Sequence, residues 1–175
     1  MASIGTFYQA KKAASLADPT SASTFLQSDD SSLSAVVYFP VLESTVTRAS
    51  FRFRAKGRAT TVGSHNVTPK VSYGTSTTAG SNTVIAAATA RACATTTESW
   101  EIWGELNWNS TLQSLQGWFS ALNGSTAVLD AAAVLTNVPT SVDLTASGKG
   151  LTVEITIATG GGDTGYLNEL TLEAI

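Results

Sequence analysis

Charged and chemically reactive residues are scarce in this chain of 175 residues. Only 13% of the residues are charged, and the chain contains one cysteine, Cys93, and one histidine, His65. A single cysteine excludes an internal disulfide framework, and one cysteine with one histidine cannot form a zinc site within the chain. No run of about 18 apolar residues occurs, which excludes a membrane-spanning helix. The hydrophobic fraction of 43% excludes charge-driven disorder, because it is large enough to build a core.

What the chain does contain points to β-structure. Serine and threonine are abundant, with 21 and 26 copies, and from Ala35 onward short alternating runs are separated by turn residues. In the clearest run, Phe51 and Phe53 alternate with Arg52 and Arg54. Because successive side chains of a strand point to opposite faces, this run predicts a half-buried strand with a basic outer row.

A second pattern predicts a long β-hairpin. Between residues 99 and 108, Trp100 and Trp108 share the apolar phase, whereas Trp103 lies in the opposite phase with two glutamates. After a turn, residues 115–122 resume the alternation, and Trp118 again falls outside the apolar phase. Exposed tryptophans are usually covered by a subunit interface or a ligand. For Trp103 and Trp118 three alternatives stay open: a sugar platform, a protein interface, or burial under the N-terminal residues.

The organisation of the chain follows from these runs. Eight or nine short strands with almost no helical pattern predict an all-β, antiparallel β-sandwich, with a jelly roll preferred over an immunoglobulin-like sandwich. Residues 1–34 predict an N-terminal extended arm, or a short helix plus linker, and residues 35–175 the β-sandwich domain. Pro69 cannot donate to a ladder, so it predicts an edge position for its strand. The N-terminus lacks an apolar segment behind a basic start, so we expect no secretory signal.

Charge is unevenly distributed. The net charge of −3 gives no reason to expect nucleic-acid binding, yet residues 1–91 carry +5 and residues 92–175 carry −8. Half of the basic residues lie in one short stretch: Arg48, Arg52, Arg54, Lys56 and Arg58. They predict either cross-strand pairing with Glu98, Glu101 and Glu105, or a bipolar surface that docks on copies of the chain or on a charged partner. The two interpretations are compatible.

No residue pattern indicates catalysis. A lone histidine in the turn-like segment around His65 is typical of a solvated side chain, and no G-x-S-x-G elbow accompanies it. Asp163-Thr164-Gly165 matches the tripeptide of aspartic proteases, but it follows three glycines, which predicts a poorly held aspartate in a hairpin turn. Glu101 and Glu105 share a strand face, as solvated carboxylates commonly do. We therefore expect no enzyme activity, no cofactor and no metal site.

Two segments carry a resemblance to a known class of proteins. Residues 95–106, continued by Gln116-Gly117-Trp118-Phe119, are similar to hairpins in small jelly-roll structural proteins of tailed-bacteriophage virions, and so is the closing segment 167–173. The low charge, the richness in small residues and the polar N-terminal segment add to the likeness, which covers approximately residues 45–175. The likeness rests on composition and local sequence pattern rather than on an invariant motif.

The resemblance implies a non-enzymatic capsid decoration (cement) protein. Such a protein binds the major capsid protein lattice or other virion proteins as a homo-oligomer, with a trimer favoured. Its individual contacts are modest, but many of them on a repeating lattice add up through multivalency. It would lie on the capsid surface of the virion after assembly in the host cytoplasm, without contact to nucleic acid or membrane. The alternative is a carbohydrate-binding β-sandwich module, or a tail or head-fibre component, that uses exposed tryptophans on a glycan. The expected partner-binding residues are Phe7, Tyr8, Arg48, Arg52, Arg54, Arg58, Trp103 and Trp118.

Overall fold

The residues that the structure describes form thirteen β-strands and no helix. The computed structural model describes residues 6–7, 10–17, 24–26, 36–78, 80–93, 97–123, 128–157 and 163–175. The strands are β1 (Thr6–Phe7), β2 (Ala10–Ala17), β3 (Thr24–Leu26), β4 (Val37–Tyr38), β5 (Arg48–Thr60), β6 (Asn66–Tyr73), β7 (Thr83–Ala87), β8 (Arg91–Ala92), β9 (Thr97–Asn109), β10 (Ser114–Asn123), β11 (Val128–Val134), β12 (Gly150–Ile157) and β13 (Thr164–Ala174). No segment in these ranges is a helix that could cross a membrane.

The strands form two antiparallel sheets. Sheet A has seven strands in the order β1-β13-β5-β9-β10-β11, and β2 also pairs with β13. Sheet B has six strands in the order β3-β12-β6-β7, with β4 on β12 and β8 on β6. Their facing apolar residues form one continuous core. The predicted all-β, antiparallel, jelly-roll-like sandwich is confirmed.

The alternating runs place their side chains as predicted. Phe51 and Phe53 of β5 are fully buried between the sheets, whereas Arg52 and Arg54 point to the outer face. The largest side chains of the core are Trp100, Phe51, Phe53, Ile85, Ile102, Leu106, Leu115, Leu144, Leu151 and Ile155. Gly57 lies opposite Trp100 in the β5–β9 ladder, and a side chain at this position would collide with the indole ring at 2.2 Å. Glycine at position 57 therefore makes room for the bulkiest residue of the core.

The predicted hairpin is also present. Strands β9 and β10 pair antiparallel from Asn109↔Ser114 to Glu101↔Leu122, and β5 pairs with the other edge of β9 over thirteen residue pairs. Beyond β10, strand β11 forms the outer edge of sheet A, with a bulge between Phe119 and Ala121. This long central ladder provides a broad outer face on sheet A.

The described pieces of the N-terminal segment are extended and belong to both sheets. Strands β1 and β2 pair with β13, and β3 pairs with β12. A helix of the eight residues Ala10–Ala17 would be marginal on its own, whereas the edge of β13 offers backbone partners along their length. The short-helix alternative is therefore wrong for Ala10–Ala17. The proposed boundary at residue 34 lies outside the described residues and stays a prediction.

The prediction of an edge position at Pro69 is wrong. Strand β6 lies inside sheet B, because β12 pairs with one side and β7 and β8 with the other. The Pro69 carbonyl accepts a hydrogen bond from the Ala88 N–H, in the gap between β7 and β8. The backbone N and C=O of one strand residue point to the same side of the strand. The N–H that Pro69 lacks would therefore point into this gap, where the ladder is already interrupted.

Candidate functional site: the outer face of sheet A

The outer face of β5, β9 and β10, called the open face below, presents its side chains in cross-strand rows. The register gives five successive rows: Arg48 and Asn109; Ser50, Asn107 and Gln116; Arg52, Glu105 and Trp118; Arg54, Trp103 and Ser120; and Lys56, Glu101 and Leu122. Residues of one row are direct neighbours on one face of the sheet. Two rows contain a tryptophan, and the first row ends at an arginine opposite an amide.

The middle of the basic row is neutralised within the sheet. Arg52 lies 3.3 Å from Glu105. Arg54 pairs with Glu101, and this hydrogen bond raises the pKa of the arginine. Lys56 lies 3.1 Å from Glu169 of β13. The predicted cross-strand pairing is thus confirmed for Glu101 and Glu105, while docking on a charged partner stays a prediction.

Trp118 is the exposed aromatic residue of the open face. Its side chain is 37% exposed, and its indole N–H points to Glu105 Oε2 at 3.4 Å. Trp103 in the next row is partly buried and borders a depression of about 360 Å³ together with Arg54 and Glu101. The two tryptophans are diagonal neighbours, because Trp103 lies opposite Ser120. Most of the N-terminal residues lie outside the described ranges, so burial of either tryptophan under them stays a prediction.

A polar pocket, called the end pocket below, lies at the end of the open face nearest Arg48. Its volume is about 470 Å³, and it is lined by Arg48, Ala49, Ser50, Asn107, Trp108, Asn109, Leu112 and Gln116. Asn109 Oδ1 accepts hydrogen bonds from the N–H groups of Thr111 and Leu112 in the β9–β10 turn. Asn107 Oδ1 accepts one from the Ser50 hydroxyl at 2.7 Å. Asn109 Oδ1 is thus saturated by two hydrogen bonds and Asn107 Oδ1 already accepts one, so the amide N–H groups are the main groups that remain for a ligand.

The other predicted contact residues lie apart from this site. The Arg58 guanidinium stacks on the ring of Tyr166 at 4.6 Å, toward the opposite end of β5. Phe7 lies in β1, where it pairs with Leu172 on the far side of β13. Tyr8 lies outside the described residues. The structure therefore brings together Arg48, Arg52, Arg54, Trp103 and Trp118, but not Arg58 or Phe7.

The edge strand β11 carries exposed apolar residues that the sequence analysis missed. Val134 lies beside Trp118 and is 79% exposed, and Leu129 lies beside Leu122 and is 60% exposed. The sequence around them is rich in alanine and fits either a strand or a helix. The pattern therefore could not show which of these side chains face outward. Together with Trp118, these residues form an apolar strip at the edge of the open face.

His65 and Asp163 form a pair that the sequence analysis did not anticipate. His65 Nδ1 lies 2.7 Å from Asp163 Oδ2, and Asp163 Oδ1 accepts the Val62 N–H at 2.9 Å. Asp163 is 1% exposed, so the prediction of a poorly held aspartate is wrong, as is that of a solvated histidine. Among the described residues no hydroxyl or thiol is hydrogen-bonded to His65. The pair connects the β5–β6 turn to the start of β13.

Cys93 is buried, and burial raises the pKa of its thiol to about 11, with a further contribution from the Glu98 carboxylate. A thiol with this pKa is protonated near neutral pH and a poor nucleophile. Within the described ranges, no group of three or more His, Cys, Asp or Glu side chains is arranged to hold a metal ion.

Comparisons with known proteins give structural similarity only. No family model and no curated protein matches this chain. Among solved structures, it is similar to the metal-free form of lectin I-B4 from Griffonia simplicifolia, with 10% identity, a TM-score of 0.35, and coverage of 80% of this chain and 79% of the lectin. It is also similar to a Bauhinia forficata lectin in complex with GalNAc, with 13% identity, a TM-score of 0.36, and coverage of 97% and 95%. For peanut lectin with a 9mer peptide, the identity is 8%, the TM-score is 0.33, and the coverage is 94% and 98%.

Proposed function

We propose that this protein is a non-enzymatic carbohydrate-binding β-sandwich that holds a glycan on the open face of sheet A. The observation that carries the proposal is Trp118, a large aromatic side chain that is 37% exposed at the end of the cross-strand row that Arg52 and Glu105 form with it. An exposed indole of this kind is costly without a partner. A pyranose ring supplies one, because its apolar C–H face fits flat against an aromatic ring.

The surroundings of Trp118 suit the hydroxyl groups of a sugar. Glu105 and Arg52 lie in the same row, and Gln116 and Asn107 lie in the row beside it. Binding sites for small polar ligands combine an apolar surface with a few placed hydrogen-bonding groups, and the open face offers both. Because the carboxylates and guanidiniums are already paired across strands, they are held in position before a ligand arrives.

Replacing Trp118 tests this proposal. We expect Trp118→Ala to weaken binding on a glycan array by about tenfold or more, since aromatic side chains dominate such contacts. We expect Trp118→Phe to retain part of the affinity, and Trp103→Ala to cost less, because that ring is partly buried. Leu129→Ala is the matched control, as it removes an exposed apolar side chain outside the tryptophan rows. Absence of binding to any glycan, or equal binding by Trp118→Ala and wild type, contradicts the proposal.

A second candidate function is protein assembly through strand β11, which the capsid-decoration interpretation would require. It is favoured by a specific observation: β11 is an edge strand in sheet A whose side chains Leu129 and Val134 are 60% and 79% exposed. An edge strand with apolar side chains is a template for pairing with another chain. A second copy of this chain, or a virion protein, would be the partner in this proposal.

The native mass distinguishes this candidate from the first. If β11 mediates assembly, light scattering will give a multiple of the 18.1 kDa chain mass. Val134→Lys will then shift the protein toward the monomer, because a buried lysine is costly at an apolar interface. Lys149→Ala, an exchange away from this edge, serves as the control. A monomeric wild type that also fails to co-purify with virus particles excludes the assembly function.

A further inference from the structure

We infer, resting on the proposed carbohydrate-binding function, that the glycan is an acidic oligosaccharide whose negative group is bound by Arg48 in the end pocket. The chemical class is a pyranose that carries a carboxylate or a sulfate. This inference is carried by the pairing pattern of the basic row, by the donor groups of the end pocket and by its position relative to Trp118.

Arg48 is the exception in the basic row. Arg52, Arg54 and Lys56 each have a carboxylate partner, whereas Arg48 faces the neutral side chain of Asn109 in the β5–β9 ladder. Its side chain is exposed, and within the described ranges no ion pair or side-chain hydrogen bond engages it. A guanidinium presents five N–H donors in a planar fork that matches a carboxylate or sulfate.

The other polar groups of the end pocket also favour an anion. None of the lining residues is acidic, and the two asparagines have their oxygens engaged, so that their N–H groups are left to donate. Gln116 and the Ser50 hydroxyl add neutral groups that suit sugar hydroxyls. Leu112 is 59% exposed and provides an apolar wall. The volume of about 470 Å³ falls in the range of small-molecule sites.

The position of Arg48 predicts an oligosaccharide. Arg48 lies two rows and two strands from Trp118 on the same face, a separation of roughly 16 Å by strand geometry. This exceeds the span of one pyranose ring. A chain of sugars that stacks on Trp118 and continues past Gln116 would bring an acidic unit into the end pocket.

A glycan array with neutral, uronate-containing and sulfated oligosaccharides tests the inference, measured at low and at physiological salt. We expect acidic glycans to bind best and to weaken with salt, because an exposed charge contact is screened. The uronate and sulfate arms distinguish the two sources of negative charge. Citrate and inorganic sulfate, added as competitors, show whether the anion alone is recognised without the sugar.

Arg48→Met removes the charge but keeps an apolar side chain of similar length. We expect it to lose about tenfold or more in affinity for acidic glycans, while its binding to neutral glycans is unchanged. Arg48→Lys should retain part of the affinity. Arg58→Met is the control, because that guanidinium lies on the same strand but stacks on Tyr166.

The outcomes separate this inference from the proposed function. If glycans bind through Trp118 but Arg48→Met binds acidic glycans as wild type does, the inference is wrong and the proposed function stands. The same conclusion follows if only neutral glycans bind. If no glycan of any class binds, the proposed function fails and the inference fails with it.

Discussion

The outer faces of the two sheets differ in what covers them. On sheet B, the β6–β7 loop folds over the outer face: Gly80 N–H donates to Glu154 Oε2, and Asn82 Nδ2 donates to Thr152 Oγ1. Thr152 and Glu154 are consequently 0% and 1% exposed. On sheet A, the corresponding phase carries exposed charges that pair with each other and a tryptophan that is 37% exposed.

This difference shows that the polar residues of an alternating strand do not always face solvent. The Thr–Glu–Thr phase of β12 and the Arg–Lys phase of β5 alternate with apolar residues in the same way. The first is closed by a loop that supplies hydrogen-bond partners, and the second is open. Of the two faces, the open one is accessible to a ligand.

The largest effect is expected from opening the loop over sheet B. Asn82→Ala removes three hydrogen bonds, two to Ser76 and one to the buried Thr152 hydroxyl. We expect it to lower the free energy of unfolding by about 2–3 kcal/mol, because three hydrogen bonds are lost together and the buried Thr152 hydroxyl keeps only its long contact of 3.5 Å to the Ser72 carbonyl. Asn107→Ala on the open face is the matched control and should cost under about 1 kcal/mol. Chemical denaturation measures both, and equal losses would mean that the two faces are equivalent.

A pH effect is expected from the interior of the sandwich. Burial raises the pKa of Cys93 to about 11, above the value of about 8.5 for an unfolded thiol. The folded state therefore favours the neutral thiol, and the resulting stability is present below about pH 8.5 and is lost as the pH rises toward 11. Denaturation at increasing pH measures this loss. Cys93→Ala should show a smaller alkaline decline, and an identical decline in both proteins would contradict the assignment.

The smallest effect is expected on the open face. Glu101→Ala and Arg54→Ala should each change the free energy of unfolding by less than about 1 kcal/mol, because their ion pair is partly exposed. A double-mutant cycle measures the coupling, which should decrease as salt is added. A coupling above about 2 kcal/mol that is insensitive to salt would show that this face is closed like the other.

The alternation predicted which side chains of β5, β9 and β10 face the core, because the period-2 pattern in these long strands is regular. It also placed Trp103 and Trp118 on the outer face and predicted the partners of two arginines. Residues 141–146 show its limit. Val142 and Leu144 are buried as their alternation indicates, yet the segment is a loop in which Asp143 accepts a hydrogen bond from the Thr145 N–H.

The features that were missed depend on residues far apart in the chain. Asp163 and His65 are 98 residues apart and lie in turn segments without periodicity. The closure of sheet B depends on a loop rich in serine, threonine and glycine, whose composition predicts a loop but not its direction. The end pocket is likewise formed by three strands and a turn, so only the register of the ladders brings Arg48 near Asn109 and Gln116.

The distribution of the four tryptophans has a spectroscopic consequence. Trp100 and Trp108 are 1% and 2% exposed, and the Trp108 indole is hydrogen-bonded to the Val142 carbonyl. An aqueous quencher such as iodide thus reaches Trp118 far more readily than these interior rings. A ligand bound on the Trp118 ring would protect its fluorescence from the quencher, so quenching would report binding without any dye or label. The molecule therefore contains its own optical probe at the surface where we propose that a sugar ring stacks.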